Sequence, residues 1–167
     1  MDLNSLGLSF HQMQRGHEQA VAELIERTFM TAVAPGYPPE GVEAFLKYAA
    51  PGALLHRSEG PKHRTLVAFD GDRVIGVVEL REDRHISLMF VDPLYQGRGL
   101  GRQLLQRVLC ERQETQVVEI TVNASPNAVS AYRRMGFRPT EPQRERDGIL
   151  YVPMVVPLLD VSGCGPL

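Results

Sequence analysis

The sequence predicts an α/β (α+β) fold with one mixed, mostly antiparallel sheet and helices on both of its faces. Two observations favour this fold class. Apolar residues recur with helical spacing in four segments and with strand-like spacing in the segments between them. An Asp70-Gly71 turn between two apolar runs predicts a β-hairpin, so neighbouring strands are antiparallel there. The 167 residues suit a single domain, expected over residues 1–160, with a flexible tail at residues 161–167.

The N-terminal third predicts one strand followed by two helices. Apolar residues alternate in the strand and follow one helical face in both helices. Proline and glycine then end the second helix, so the next segment is predicted to be a loop. In chain order these are a strand at Leu6 to Met13, helices at His17 to Met30 and Pro39 to Tyr48, and a loop from Pro51 to Arg64 with a short extended piece at Ala53 to His56.

The remainder of the chain predicts three consecutive antiparallel strands and then an alternation of strands and helices. Ser125 can cap the last helix, Pro126 suits its first position and Gly136 suits its end. The charged run Arg144 to Asp147 is typical of a solvated turn. The predicted strands are Thr65 to Phe69, Arg73 to Leu80, His85 to Val91, Val117 to Val122, Phe137 to Pro139 and Ile149 to Val156, and the helices are Gly99 to Glu114 and Pro126 to Met135.

Composition excludes several classes of protein. The net charge is −2 with both signs interspersed, which argues against a nucleic-acid or membrane surface. No apolar run is long enough to cross a membrane, and no secretion signal is recognised at the N-terminus. Two cysteines are too few for a disulfide scaffold, and no cluster has metal-ligand spacing, so we expect no metal. The simplest expectation is a cytoplasmic protein in a reducing compartment.

A glycine-rich turn between a predicted strand and a predicted helix carries the most functional information. Gly97, Gly99 and Gly101 remove side chains, so backbone N–H groups can approach an anion closely. The first turn of the helix adds unpaired N–H groups and a positive dipole end. Arg98 and Arg102 add charge at the rim. The segment therefore predicts a phosphate or pyrophosphate site, although a plain strand-to-helix connection has the same glycines.

Two common phosphate-binding motifs do not fit this turn. A Walker A loop ends in Gly-Lys-Ser/Thr, whereas the matching positions are Leu100, Gly101 and Arg102. A dinucleotide fingerprint needs a third glycine, at Arg102 or at Leu104 depending on where it starts. A nucleotide-binding protein of a different fold is therefore disfavoured.

The same turn resembles the signature of the GCN5-related N-acetyltransferase (GNAT) superfamily. Q-G-R-G-L-G at Gln96 to Gly101 is similar to that family's Gln/Arg-x-x-Gly-x-Gly/Ala turn. His85 to Pro93 resembles the family's fourth strand and its exit, and Asn123 to Phe137 resembles the end of its fifth strand and the following helix. The motifs span about Thr65 to Phe137, while the N-terminal third is similar in layout alone.

The resemblance implies a binding site for acetyl-CoA as co-substrate. The sheet would splay between strands four and five, and the backbone of Phe90 and Val91 would pair with the pantetheine arm. Asn123 would lie near the thioester, and Asn127 would contact the pantetheine or the pyrophosphate. The amides that would hold the pyrophosphate belong to Gln96, Gly97, Arg98, Gly99, Leu100, Gly101 and Arg102.

Catalytic residues are less clearly marked. The resemblance implies Tyr132 as the general acid that protonates the leaving CoA thiolate; the alternative is a core aromatic residue. The attacking amine must lose a proton, for which Glu79 and His85 are the candidate bases and Ser87 is a weaker one. Each could instead be an ordinary strand or turn residue. A backbone N–H near Met89 or Phe90 would stabilise the tetrahedral oxyanion.

The expected activity is acetyl transfer from acetyl-CoA to a primary amine of a small molecule or peptide. A non-catalytic acyl-CoA sensor or regulatory module is the alternative, and a longer acyl chain is a further option. The acceptor site would be built mainly by Phe29 to Arg64, where Tyr37, His56 and His63 are candidate lining residues. Fold resemblance does not choose an acceptor. A homodimer through Ile149 to Val156 is a further expectation.

Overall fold

The structure is a computed structural model that describes residues 7–112 and 116–161. The strands are β1 (Leu8–Gln12), β2 (His63–Asp70), β3 (Arg73–Arg81), β4 (His85–Val91), β5 (Glu119–Ala124), β6 (Arg138–Pro139), β7 (Arg144–Arg146) and β8 (Ile149–Pro157). The helices are α1 (Glu18–Ala32), α2 (Pro39–Tyr48), α3 (Pro51–Ser58), α4 (Leu100–Cys110), α5 (Val129–Arg134) and α6 (Leu158–Val161). Short 3₁₀ turns lie at Ala34–Gly36, Pro93–Tyr95 and Pro126–Ala128.

One mixed sheet has the order β1-β2-β3-β4-β5-β8-β6, and β7 also pairs with β8. These pairs are antiparallel except β4 with β5, which is parallel. The predicted fold class and the hairpin at Asp70-Gly71 are confirmed. The antiparallel pairing of the sheet is therefore interrupted between β4 and β5.

Two hydrophobic cores cover the two faces of the sheet. One packs α4 and α5 against the sheet through residues such as Leu104, Leu105 and Tyr132. The other packs α1 and α3 through residues such as Leu24, Ile25 and Leu54. The two faces follow from period-two alternation along β3, where Val77 belongs to the second core and Val78 to the first.

The segment predicted as a loop after Pro51 is instead the helix α3. Ala50 is extended and Pro51 occupies the first helical turn, where its missing N–H costs no hydrogen bond. The Pro-Gly pair therefore starts a helix as well as ending the previous one. Leu54 is fully buried against α1, which supplies the packing that stabilises so short a helix.

Three smaller differences concern the C-terminal part. The charged run predicted as a turn begins with a short strand, β7, paired with β8. Val161, expected in the tail, is buried in α6, and residues 162–167 lie outside the described residues. Cys110 is disulfide-bonded, which the assumption of a reducing compartment did not anticipate.

Across residues 7–112 and 116–161, no helix is long and apolar enough to cross a membrane.

Candidate active site

Strands β4 and β5 diverge almost as soon as they meet. They pair at two positions, His85 with Thr121 and Ile86 with Val122, and beyond these no pairing joins the two strands. A cleft of about 630 Å³ opens from that point, lined by β4, β5, the glycine-rich turn and α5. The backbone of β4 from Leu88 onward keeps its β3 partners on one side but does not pair with β5 on the other. Those free groups can pair with an extended ligand as a strand would.

The glycine-rich turn closes one end of the cleft. Gly97 and Gly99 have φ values of 72° and 88°, a backbone conformation that side-chain-bearing residues rarely adopt. Helix α4 begins directly afterwards, and no side chain caps its N-terminus. Its first N–H groups therefore face the cleft as donors for an anion. The predicted binding residues that line the cleft are Phe90, Val91, Gln96, Gly97, Gly99, Leu100, Gly101, Arg102, Asn123 and Asn127.

Arg98, by contrast, is exposed and does not line the cleft. Arg102 lines the cleft and donates a hydrogen bond to the carbonyl of Arg134 on α5. The cationic rim is therefore formed by Arg102 and Arg134 rather than by Arg98.

Asp92 fixes the exit of β4 just before the turn. Its carboxylate is buried and accepts hydrogen bonds from Arg27 on α1 at 2.7 Å, from Arg73 on β3 at 2.8 Å and from the Leu94 N–H at 3.0 Å. Burial alone would raise the pKa of Asp92, but these donors outweigh it and lower the pKa. Gln96 adds a further tie, since its amide donates to the Val91 carbonyl at 2.9 Å.

Asn127 ties the two sides of the cleft together. Its side-chain amide donates to the Ala32 carbonyl at 2.6 Å, and its oxygen accepts from the Ser125 hydroxyl at 2.7 Å. Ala32 is the last residue of α1, so the bond links α1 to the turn before α5. Asn123 is exposed at the end of β5 and lines the cleft.

Tyr132 lies in the cleft wall, on α5. Its ring is edge-on to Phe137 at 5.3 Å between centroids, and the side chain is buried. Burial raises the pKa of the Tyr132 phenol, so the hydroxyl keeps its proton at neutral and moderately alkaline pH. Tyr132 therefore packs in the hydrophobic core and also lines the cleft.

Glu79 lies on β3, fully buried, and does not line the cleft. Its Oε1 accepts from the Ser87 hydroxyl at 2.7 Å and from the Tyr48 hydroxyl at 2.8 Å, and its Oε2 is 3.0 Å from Nε of Arg57. Ser87 is the extra residue of a β-bulge, because Glu79 pairs with Leu88 and Leu80 pairs with Ile86. Ser87 does line the cleft, so Glu79 reaches it through this hydroxyl.

The sequence did not identify Tyr48 and Arg57 as partners of Glu79. Arg57 also donates to the Tyr48 carbonyl at 2.7 Å and stacks over the Tyr48 ring at 3.7 Å. Both residues come from α2 and α3, which the sequence placed in the acceptor region without a role. Burial raises the pKa of Tyr48, which keeps its hydroxyl a donor.

His85, the other candidate base, sits where β4 and β5 still pair. Its Nδ1 is 2.8 Å from the Thr121 hydroxyl, and it does not line the cleft. Burial, with the nearby Arg81 charge, lowers the pKa of His85, so the imidazole is neutral at pH 7. Of the acceptor-site candidates, Tyr37 lines the cleft, whereas His56 and His63 do not.

Aromatic rings form one wall of the cleft, which we call the aromatic wall: Phe29, Tyr37, Phe45 and Phe90. Phe29 stacks on Phe45 with centroids 3.9 Å apart, and Tyr37 is edge-on to Phe29 at 5.3 Å. Phe90 lies 5.8 Å from Phe45. These rings come from α1, the turn after it, α2 and β4, so no single stretch of sequence marks them.

The fold and the cleft together define a class of protein: a mixed-sheet domain with a cleft between two diverging strands. The Acetyltransferase (GNAT) domain family matches residues 33–158 of the chain. Because this match spans more than half of the chain, the chain belongs to the GNAT acetyltransferase family.

Two curated relatives are named as N-acetyltransferases. The uncharacterised N-acetyltransferase YfmK of Bacillus subtilis is 33% identical over 95 residues, which is 53% of this chain and 64% of that protein. The chain therefore spans just under two thirds of that relative. The uncharacterised N-acetyltransferase YafP of Escherichia coli is 25% identical over 137 residues, covering 82% of this chain and 85% of the relative.

Solved structures share the fold. The PaiA N-acetyltransferase of Thermoplasma acidophilum, solved in complex with coenzyme A, has a TM-score of 0.73 and 18% identity, covering 89% of this chain and 98% of that chain. The Vibrio cholerae spermidine N-acetyltransferase, solved with CoA and spermine, has a TM-score of 0.61 and 20% identity, covering 92% of this chain and 97% of that chain. At these identities the likeness concerns the fold.

Proposed function

We propose that this protein transfers the acetyl group of acetyl-CoA to a primary amine. The observation that carries the proposal is one continuous cleft that joins the unpaired edge of β4, the uncapped start of α4 and Tyr132. A pyrophosphate suits the N–H groups at the glycine-rich turn, and an amide-bearing pantetheine arm suits the free edge of β4. Coenzyme A contains both groups.

For acetyl-CoA, the proposed role of the protein is to position the thioester. The backbone of Phe90 and Val91 would hold the pantetheine, Asn127 would contact it after releasing Ala32, and Asn123 would lie near the thioester. Arg102 and Arg134 would add positive charge beside the phosphates. Because a thioester is already an activated acyl group, orientation supplies much of the rate.

Ser87 and Glu79 are the proposed route for the amine proton. The amine nitrogen attacks the thioester carbon, its proton moves to the Ser87 hydroxyl, and Ser87 passes its own proton to the Glu79 carboxylate 2.7 Å away. N–H groups of β4 near Met89 or Phe90 would stabilise the oxyanion of the tetrahedral intermediate. His85, which is outside the cleft, is the second candidate base.

Tyr132 is the proposed donor to the leaving sulfur. The carbon–sulfur bond breaks, and the thiolate takes the phenol proton, which solvent later replaces. Burial raises the pKa of the Tyr132 phenol, so the hydroxyl holds a proton that it can donate at neutral pH.

The test is a parallel calorimetric titration with acetyl-CoA, CoA and NAD, followed by an assay of thiol release with a panel of primary amines. Micromolar binding of both CoA species but not NAD, together with amine-dependent thiol release, is the expected result. CoA binding without transfer to any amine would favour the acyl-CoA sensor. Folded protein that does not bind CoA would overturn the whole proposal.

A further inference from the structure

The aromatic wall lies on the face of β4 opposite the glycine-rich turn. Side chains alternate along the strand, and a Cβ placed on Gly101 would lie 3.7 Å from the Met89 sulfur and 3.8 Å from Val91. Met89 and Val91 thus face α4, whereas Leu88 and Phe90 pack with α1 and α3. The wall therefore faces the part of the cleft that the phosphate site does not use.

The four rings form one contiguous apolar surface. Phe29 is fully buried and supports Phe45 from behind, while Tyr37, Phe45 and Phe90 are each partly exposed to the cleft. Stacked and edge-to-face rings at these separations are a rigid platform, because each ring restrains the next. A flat or apolar group can pack against such a platform without rearranging it.

Negative charge is missing from the same region. Among the residues that the structure describes, no aspartate or glutamate lines the cleft, and its charged lining residues are Arg102 and Arg134. The nearest buried acid, Glu79, is already paired with Arg57. Asp92 is paired with Arg27 and Arg73, and Glu43 on α2 with Lys47. A second ammonium group on the acceptor would thus find no carboxylate among these lining residues and would lose hydration on entering the cleft.

We propose that the acceptor is a primary amine joined by a short chain to an aromatic or apolar group, and that the aromatic wall binds that group. The inference rests on the proposed transferase function. Its physical basis is the combination of a preformed ring platform with the absence of a carboxylate for a polycation. The amine reaches the donor end near Ser87, and the apolar group packs on Phe45 and Phe90.

The experiment compares 2-phenylethylamine with spermidine as acceptors, using acetyl-CoA and the full chain. We expect kcat/KM for 2-phenylethylamine to exceed that for spermidine by at least about tenfold, since a single methylene in an apolar pocket already discriminates by about 10-fold or more. Phe45→Leu keeps an apolar side chain but removes the ring. It should lower kcat/KM for 2-phenylethylamine by about fivefold, as expected for loss of an aromatic contact, and leave the acetyl-CoA Kd unchanged.

Phe69→Leu is the matched control. Phe69 is also a partly buried ring, but it lies on β2 beside His11 and His17, away from the cleft. It should leave both kcat/KM values unchanged. A higher kcat/KM for spermidine, an equal loss in both leucine variants, or acetyl-CoA binding with neither amine acetylated would each overturn this inference while leaving the CoA site intact. Absence of acetyl-CoA binding would overturn the transferase proposal as well.

Discussion

The two sides of β4 build their halves of the cleft from different materials. On the α4 side, the binding groups are backbone N–H donors arranged by left-handed glycines and a helix start. On the α1 and α2 side, the cleft is built from side chains: the aromatic wall and Ser87, whose hydroxyl is bonded to the buried Glu79. Backbone recognition suits a ligand whose chemistry is constant, while a side-chain wall can vary with the acceptor. The comparison teaches that, under the proposed function, donor and acceptor would be recognised by separate groups of residues.

The largest effect is expected from adding a side chain to the glycine-rich turn, where the binding groups are backbone N–H donors. Gly101→Val should weaken acetyl-CoA binding by about 100-fold or more, a loss of about 2.7 kcal/mol, because a branched side chain would occupy the phosphate approach. Space exists for its Cβ, with no atom outside its immediate neighbours closer than 3.7 Å, so the fold should survive. Isothermal titration calorimetry measures the change.

Gly52→Val is the matched control, since Gly52 is also the second residue of a helix and has nothing within 4 Å of its Cβ position. It should leave acetyl-CoA affinity unchanged. Unchanged affinity in Gly101→Val as well would contradict the pyrophosphate assignment of the turn.

Tyr132→Phe tests the proposed general acid in the wall of the cleft. Removing the hydroxyl should lower kcat by about 100-fold, as for loss of a general acid, and spare acetyl-CoA affinity. Because burial raises the pKa of the phenol, wild-type activity should not decline between pH 7 and about pH 10 through ionisation of Tyr132. Steady-state kinetics across that range gives both results, and equal turnover in the variant would leave Tyr132 a core residue.

The two candidate bases, Glu79 acting through Ser87 and His85 outside the cleft, should respond differently to mutation. Ser87→Ala should lower kcat by about tenfold or more, because it breaks the route to Glu79. His85→Gln should have little effect at pH 7. If His85 were the base, its lowered pKa would place the rise of kcat/KM with pH below about 6.5, and that limb would vanish in His85→Gln. Parallel pH profiles of the two variants therefore decide between the candidate bases.

Asp92 should influence stability more than turnover. Asp92→Asn removes one charge from a buried carboxylate whose two arginine partners are about half exposed, so we expect a loss of about 2 kcal/mol in the free energy of unfolding. The folded-state pKa is lowered, so this stabilisation is present above the ordinary aspartate pKa and is lost as pH falls through the folded value. Urea unfolding at pH 7 and pH 3 should show a steeper acid loss for wild type than for the variant, and parallel losses would assign the acid sensitivity to other groups.

Much of the fold followed from local patterns in the sequence. Residues 39–48 and 85–91 form the predicted helix and strand with their predicted bounds, because the apolar spacing there agrees with the packing it meets. The helix α3 after Pro51 was not predicted, since Pro-Gly is compatible with a helix end and with a helix start. Burial of Leu54 against α1 decides between them, and that contact is not local in sequence.

By itself, the sequence determined the glycine-rich turn and the start of α4, because glycine spacing and a helix start are local features of the backbone. It also placed Tyr132 on the helix that borders the cleft. Only the tertiary structure decided that Arg98 does not line the cleft, that Glu79 is bonded to Ser87, Tyr48 and Arg57, and that rings from α1, α2 and β4 form one wall. These features join residues far apart in the chain, and their side chains meet only when the sheet and both of its helical layers have packed.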